Sequence, residues 1–306
     1  MRVVVAGGTG FLGTALIDTL RKDGHHVLVL TRRRSNNPGE RGQEEGRREY
    51  VHWSPDGSDT SWRSHLENAN AVVSLTGAAI DKRWTAAHKR EMRDSRIKPT
   101  RALAQAITSM RPDGVTFISG SAVGIYGARG DEPLTEDSAP GSDFLGRLAV
   151  DWEQAALAAS HRARVVLVRT GIVLDRDKGA LPKMARPFWF FVGGPLGSGR
   201  QYISWIHIAD WVGMVRWALT NAGVSGPVNA TAPQPVTNLD FARTLGRVLG
   251  RPALMPAPAF ALRIALGEMA DAVLTGQRAL PARAESLGFR FEHPALEDAL
   301  RNLYRA

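Results

Sequence analysis

The residues VVVAGGTGFLG, running from Val3 to Gly13, set the strongest limit on how this chain can fold. Val3, Val4, Val5 and Ala6 form the unbroken apolar run of a parallel strand buried on both faces. Glycines then recur at Gly7, Gly10 and Gly13. A tight turn requires the first, close approach of a pyrophosphate the second, and packing of a helix on the strand the third. Leu16, Ile17 and Leu20 follow at helical spacing, and Gly24 closes that segment as a C′ glycine would. An anion bound here rests on free N–H groups at a helix N-terminus, with the dipole in its favour. The candidate contacts are Gly7, Thr9, Gly10, Phe11, Leu12 and Gly13. A glycine-rich turn without a ligand is the alternative, but a legible strand before it and a helix after it favour a nucleotide site.

The second strand, residues 26–30, selects the nucleotide. A site for NAD places Asp or Glu at its end, about 20 residues past the glycines, to hold the ribose 2′-hydroxyl; an arginine there takes the 2′-phosphate of NADP. This chain has Thr31, Arg32, Arg33 and Arg34, with no acid among them. The donor fork of a guanidinium matches phosphate oxygens, so Thr31 and Arg32 select NADP. A solvated basic loop is the competing reading, and the polar insert at 35–48 is compatible with it.

Composition narrows the classes further. A chain of 306 residues can hold one large or two closely packed domains. It has no cysteine, which removes disulfide and thiol chemistry, and no visible signal peptide, so a cytoplasmic protein is expected. The longest aromatic and apolar run, residues 188–192, is far short of the ~20 residues of a membrane span, and no membrane partner is expected. The net charge of +9 permits nucleic-acid binding. The arginines are scattered, however, and no basic run is interleaved with aromatics, so nucleic acid is not expected as a partner. A monomer or homodimer acting on a small molecule fits these limits.

Apolar strands are legible at 3–6, 26–30, 71–75, 115–119 and 165–169, with helices around 14–22, 98–110 and 148–160. This alternation predicts an α/β fold, a doubly wound parallel sheet. The predicted nucleotide-binding domain covers residues 1–170 and is completed by a strand and helix near 202–220. Residues 171–306 are assigned mainly to a smaller C-terminal substrate lobe.

The motifs GGTGFLG, SGSAVGIYG and VRTGIVL together resemble the extended short-chain dehydrogenase/reductase superfamily, which includes nucleotide-sugar epimerases. KREMRDSR (89–96), GGPLGSGRQYISWIHIAD (193–210), NATAP (229–233) and TGQRALPARAESLGFRF (275–291) are similar to its atypical epimerase-like subfamily, sometimes labelled a cell-division-inhibitor homologue. That resemblance implies a Rossmann-type fold and further cofactor contacts: Leu75 and Thr76 under the adenosine, Glu91 and Arg96 from a charged helix, and Val173 near the nicotinamide half. Glu91 and Arg96 are not at the i,i+4 distance of a helical ion pair, so each needs another partner.

The family's catalytic pattern is a serine with a Tyr-x-x-x-Lys pair, in which lysine lowers the tyrosine pKa for proton exchange. Ser121 matches the serine. Counting back from Glu153, which resembles the acid following that lysine, the Lys and Tyr positions hold Ala149 and Leu145, neither of which ionises. Tyr126 is the candidate substitute acid, close after Ser121 at the carboxyl end of a strand, with packing of the turn as its other reading. His207 is the other candidate, able to titrate near neutrality, but between Trp205 and Ile208 it reads first as a structural histidine. Asp210 reads as the cap or the start of the helix at Trp211. No metal-ligand cluster is legible.

Two function classes stay open. One is an NADP-dependent, epimerase-like oxidoreductase acting on a small or nucleotide-linked carbonyl or hydroxyl compound. The other is an NADP-binding redox-sensing or regulatory protein with little turnover, as the cell-division label suggests. Ser121 and the apolar loop 188–199, able to wall a pocket, favour the first; Leu145 and Ala149 favour the second. The oxidoreductase is the leading expectation.

Overall fold

In the N-terminal strand β1 (Arg2–Ala6), Val3 and Val5 enter one apolar cluster and Val4 and Ala6 another. This is the period of two expected of a strand covered on both faces. β2 (His26–Thr31) divides the same way, Val27 and Val29 against Leu28 and Leu30. The computed structural model describes residues 1–32, 48–56, 58–110 and 114–305. Arg33, Arg34 and nearly all of the polar 35–48 insert lie outside the described residues.

The remaining strands are β3 (Arg48–His52), β4 (Ala71–Ser74), β5 (Thr116–Ala122), β6 (Pro133–Leu134), β7 (Arg164–Thr170) and β8 (Ile172–Leu174). After them come β9 (Tyr202–Ile203), β10 (Trp205–His207), β11 (Gly226–Ala230), β12 (Val236–Thr237) and β13 (Arg278–Ala279). Seven of them form one parallel sheet in the order β11-β7-β5-β4-β1-β2-β3. The helices are α1 (Phe11–Lys22), α2 (Ala86–Met110), α3 (Phe144–Leu157), α4 (Leu181–Trp189) and α5 (Ile208–Thr220). They are followed by α6 (Asn238–Leu249), α7 (Ala259–Leu266), α8 (Met269–Leu274), α9 (Ala282–Ser286) and α10 (Leu296–Arg305).

Leu16, Ile17 and Leu20 of α1 and Trp211, Met214 and Val215 of α5 cover one face of the sheet. Leu103, Ala106 and Ile107 of α2, Ala156 of α3, and Trp53 and Trp62 cover the other. Chain direction across the sheet reverses between β1 and β4, which opens a crevice at their carboxyl ends, where open α/β sheets bind ligands. The C-terminal part builds its own cluster from Leu181 and Phe188 of α4, Phe241 and Leu245 of α6 and Leu300 of α10.

The α/β class and the doubly wound sheet are as expected, but several elements differ from the sequence reading. The apolar run at 202–208 does not complete the central sheet. It splits into β9 and β10, which pair with β12 and β8, and β11 supplies the seventh strand instead. The helix placed at 98–110 begins at Ala86 and runs through Pro99. That proline removes one backbone hydrogen bond, while burial of Met92 and Ile97 ahead of it holds the earlier turns. The helix placed at 148–160 starts sooner, because the Asp143 carboxylate accepts from Gly146 N at 2.7 Å and caps it.

At Gly13 a Cβ would fall 2.4 Å from Gly7 O and 2.7 Å from Gly8 Cα, both fixed backbone atoms. Gly13→Ala is expected to destabilise the chain by about 1–3 kcal/mol, the usual cost of overpacking. Thermal unfolding checks it, and an unchanged Tm overturns this reading of the β1–α1 junction.

Candidate functional site

Gly7 has φ +82°, and a Cβ there would meet Leu75 C and O at 2.6 Å, so the turn leaving β1 lies directly on the end of β4. Leu75 N donates to Ala6 O at 2.8 Å, fixing that approach. Gly10 is different. A Cβ there would meet only Gly7 O, at an ordinary 3.4 Å, so the chain's own packing leaves room for a side chain. Its absence leaves the backbone open to a ligand. Gly10 is also the N-cap of α1 with no side-chain cap bond, so the amides of Phe11, Leu12 and Gly13 face that space uncapped. These features fit a dinucleotide pyrophosphate. Thr31 ends β2 beside the exposed Arg32, at the place where an adenosine ribose would lie.

Past Leu75 and Thr76, the loop turns back under Arg96 of α2. The Arg96 guanidinium donates to Ala78 O and Met92 O, both at 3.1 Å, and lies 5.4 Å over the Trp152 ring. Burial lowers its pKa to about 10, and no carboxylate is paired with it among the described residues. A cation held mainly by carbonyls and an aromatic face beside a crevice has donor capacity left for an anion. Glu91 is more exposed, and its partner is His88, whose Nδ1 is 2.9 Å from Glu91 Oε2 while Nε2 lies 2.9 Å from Ala79 O. Val173 on β8 reaches the same mouth: a Cβ on Gly179 would meet both Phe11 Cε1, at 2.9 Å, and Val173 O, at 3.4 Å.

Ser121, on β5, is buried and donates through Oγ to Glu153 Oε1 at 2.6 Å. Arg169 on β7 grips the same carboxylate bidentately, Nε to Oε1 at 2.8 Å and Nη2 to Oε2 at 2.9 Å. Tyr126 is fully buried; its hydroxyl donates to Asn229 Oδ1 at 2.7 Å and accepts from Arg169 Nη1 at 3.0 Å. Burial pushes its phenol pKa up in spite of the neighbouring guanidinium, which is the opposite of what a ready proton acceptor needs. Leu145 lies against Gly124, and Ala149 is buried with Val123, Ile125 and Tyr126. Leu145 and Ala149, the positions that the resemblance matches to the family's Tyr and Lys, therefore form an apolar i,i+4 pair against the turn after β5.

Sequence reading missed Trp152, Glu136, Asn229 and His88 as parts of this neighbourhood. Glu136 Oε1 accepts from Asn229 N at 2.9 Å, and Asn229 Nδ2 donates to Leu280 O at 2.8 Å. No short spacing joins Glu136, Asn229 and Leu280, whereas His88 stands at the helical i,i+3 spacing from Glu91 that would have found it. The aromatic segment 188–199 divides: Phe188 is buried against α6, whereas Trp189, Phe190, Phe191 and Val192 are exposed.

His207 is the N-cap of α5, its Nδ1 accepting from Ala209 N at 3.1 Å, and its ring lies 3.9 Å from that of His293. Asp210 does not cap this helix. It accepts from Glu292 N at 2.6 Å and His293 N at 3.0 Å, tying the C-terminal loop down, and burial raises its pKa. Burial, and then repulsion from His293, lowers the His207 pKa to about 4. Between that value and the ordinary 6.5, the unfolded chain binds a proton that the folded chain refuses. Stability therefore falls as pH drops through this window and levels off below it. His207→Asn, which keeps a capping oxygen, is expected to flatten the fall by up to about 3 kcal/mol between pH 6.5 and 4. Urea unfolding across that range checks it; parallel profiles for the two proteins overturn it.

With this geometry in place, comparison with known proteins is informative. Residues 3–230 match the NAD dependent epimerase/dehydratase family, and residues 257–303 match a domain of unknown function, DUF1731. The chain is 41% identical over 305 residues to epimerase family protein YfhF of Bacillus subtilis, covering 99% of this chain and 98% of the relative. It is 40% identical over 309 residues to the chloroplastic epimerase family protein SDR39U1 homolog of Arabidopsis thaliana, covering 98% and 86%. The crystal structure of human epimerase family protein SDR39U1 with NADPH superposes with a TM-score of 0.87 at 34% identity, covering 100% of this chain and 99% of that one. UDP-glucuronic acid 4-epimerase of Bacillus cereus, at 18% identity and a TM-score of 0.77, shares the fold. The glycine cradle, the parallel sheet and these matches agree: the chain is a member of the NAD-dependent epimerase/dehydratase family.

Proposed function

We propose that this chain binds NADP(H) in the crevice between β1 and β4, and that holding the nucleotide, rather than rapid turnover of sugar nucleotides, is its main work, in a redox-sensing or regulatory role. The observation that carries this reading is the apolar packing of Leu145 and Ala149, the pair that the sequence resemblance matches to the family's proton relay. The hydroxyls that could stand in, Ser121 and Tyr126, are both committed to buried partners. A bound nicotinamide supplies hydride, but hydride exchange at a carbonyl also needs a proton at the oxygen, and general acid–base help of this kind is worth about 10²–10⁴-fold.

In this proposal Gly10 and the amides of Phe11, Leu12 and Gly13 hold the pyrophosphate, and Thr9 borders it. Leu75 and Thr76 pass under the adenosine. Arg32 with Thr31 takes the 2′-phosphate. Arg96 faces the dinucleotide from α2 with Glu91 at the rim, and Val173 lies toward the nicotinamide. The bound structural relative with NADPH supports the choice of nucleotide. A nucleotide-binding unit of residues 1–170 completed by α5 and β11, with most of the remaining chain as substrate lobe, and a cytoplasmic setting, belong to the same proposal.

A second reading, an oxidoreductase acting on a small or nucleotide-linked carbonyl or hydroxyl compound, is favoured by the lobe that faces the sheet's carboxyl edge. Lys89 pairs with Glu268 and Lys183 with Asp81, so the loop after β4 and the start of α2 are tied to both α4 and the α7–α8 junction. Such a walled cleft suits a substrate.

NADPH is expected to bind more tightly than NADH, and Arg32→Ala to remove about tenfold or more of that preference, as loss of a charge-assisted phosphate contact would. Nucleotide fluorescence titration reads both, and equal affinities for the unmutated chain overturn the NADP assignment. The two functional readings part at Tyr126→Phe. If the phenol is structural, this change lowers stability by about 1–3 kcal/mol, since Asn229 Oδ1 loses its donor, and leaves nucleotide affinity unchanged. If turnover is found on a carbonyl substrate and Tyr126→Phe abolishes it while the protein stays folded, the oxidoreductase reading replaces the sensor.

A further inference from the structure

Helix α4 ends in an unusual way. Phe191 N donates to Phe188 O at 2.9 Å and Val192 N to Pro187 O at 3.0 Å, the paired bonds of a Schellman closure, which places Phe191 at the C′ position. That position takes a left-handed backbone and normally a glycine. Phe191 has φ 60° there, as the only non-glycine residue with positive φ among the described residues. Its ring is not repaid by burial in this chain, because Phe191 is 58% exposed and its neighbour Phe190 67%. A strained aromatic that packs against little of its own fold points to something outside the chain.

The surroundings say what. Met255 N donates to Gly193 O at 3.1 Å and Ala257 N to Pro195 O at 2.9 Å, so a second apolar segment runs beside the first and adds Leu254, 80% exposed, and Met255. Arg251 lies 5.4 Å over the Trp189 ring and 4.8 Å over that of Phe191. Next to them is an open groove of about 650 Å³ whose cations are Arg243, Arg247 and Arg251 and whose lining includes no acid. Arg247 is paired with Glu297, but Arg243 has no side-chain partner among the described residues. Residues 239–256, which with Pro195 line the groove, carry Arg243, Arg247 and Arg251 against a single acid, Asp240.

We propose that this face, Trp189 to Val192 with Leu254 and Met255, docks on an anionic lipid surface, the arginines of the groove meeting headgroup phosphates. Exposed Trp and Phe flanked by arginine suit the boundary between headgroups and acyl chains, where the rings lose water and the guanidinium groups keep it. A second copy of the chain fits less well. A two-fold contact would set a face with an excess of arginine against itself. No helix among the described residues is long and apolar enough to cross a membrane, so the contact is peripheral, a partner that composition alone did not lead us to expect.

Co-sedimentation with phosphatidylcholine vesicles, with and without phosphatidylglycerol, tests this. The chain is expected to sediment with the anionic vesicles, less so as salt rises, and to leave pure phosphatidylcholine vesicles in the pellet alone. Phe190→Ser combined with Phe191→Gly is expected to weaken binding at least about tenfold. Because glycine suits φ 60°, the double variant should show an equal or higher Tm, which separates loss of docking from loss of fold. Arg243→Glu should weaken vesicle binding as well. Failure to sediment, equal binding to neutral vesicles, or unchanged binding of the double variant overturns the proposal. So does a dimer in light scattering that the same double variant dissolves, which would assign the face to a second copy.

Discussion

The ion pair between Arg169 and Glu153 fixes the carboxyl side of the sheet, and most of the site's geometry follows from it. Two charges taken out of water are tolerated only when their remaining hydrogen-bonding capacity is filled. Here Arg169 uses its fork on Glu153 and turns Nη1 to Tyr126 Oη and Glu136 O, while Glu153 also accepts a hydrogen bond from the Ser121 hydroxyl. The pairing ties β7 to α3, β5 and the turn after β5 in one unit. Burial opposes charge on the guanidinium, but Glu153 more than offsets it and keeps Arg169 ionised, its pKa held above the ordinary value. Planarity and five fixed donors make arginine suited to this place in a way lysine is not.

That unit continues into the C-terminal part of the chain. Glu136 accepts from Asn229 N on β11 through one oxygen and from Arg283 N on α9 through the other. Tyr126 and Asn229 close the ring. Residues that resemble catalytic groups in the one-dimensional pattern thus serve as connectors between the nucleotide-binding sheet and the elements after β11. A hydroxyl whose proton is already given to a buried carboxylate or amide oxygen gains little by giving it to a substrate. Leu145 and Ala149 face an apolar turn, not the ion pair.

The glycine cradle at the first turn was legible because its signals are local. Gly7, Gly10 and Gly13 act on backbone atoms within a few residues of each other, and a strand-turn-helix junction admits few alternatives. Arg32 is read from its distance to those glycines for the same reason. The partner of Arg96, by contrast, is the indole of Trp152 from another helix, and the split of loop 188–199 into a buried Phe188 and exposed neighbours depends on where α6 lies. The apolar run at 202–208 looked like a sheet strand because periodicity reports burial, not which edge a strand joins. Pairing with β8 and β12 is decided by where β7 and β11 already stand.

What the sequence by itself determined is the doubly wound α/β class, the glycine cradle at its first turn, and the absence of a Tyr-x-x-x-Lys pair. Each is a matter of residue type at short range, where sterics and hydrogen-bonding capacity leave one reading. The tertiary structure alone decided that Ser121 and Tyr126 are engaged in a buried polar network, that β11 completes the sheet, and that Phe190 and Phe191 face solvent beside an arginine-lined groove. Those facts depend on contacts between segments up to about a hundred residues apart. Which of many apolar or polar partners a side chain meets at that separation is set by the packing of whole layers, and no local pattern records it.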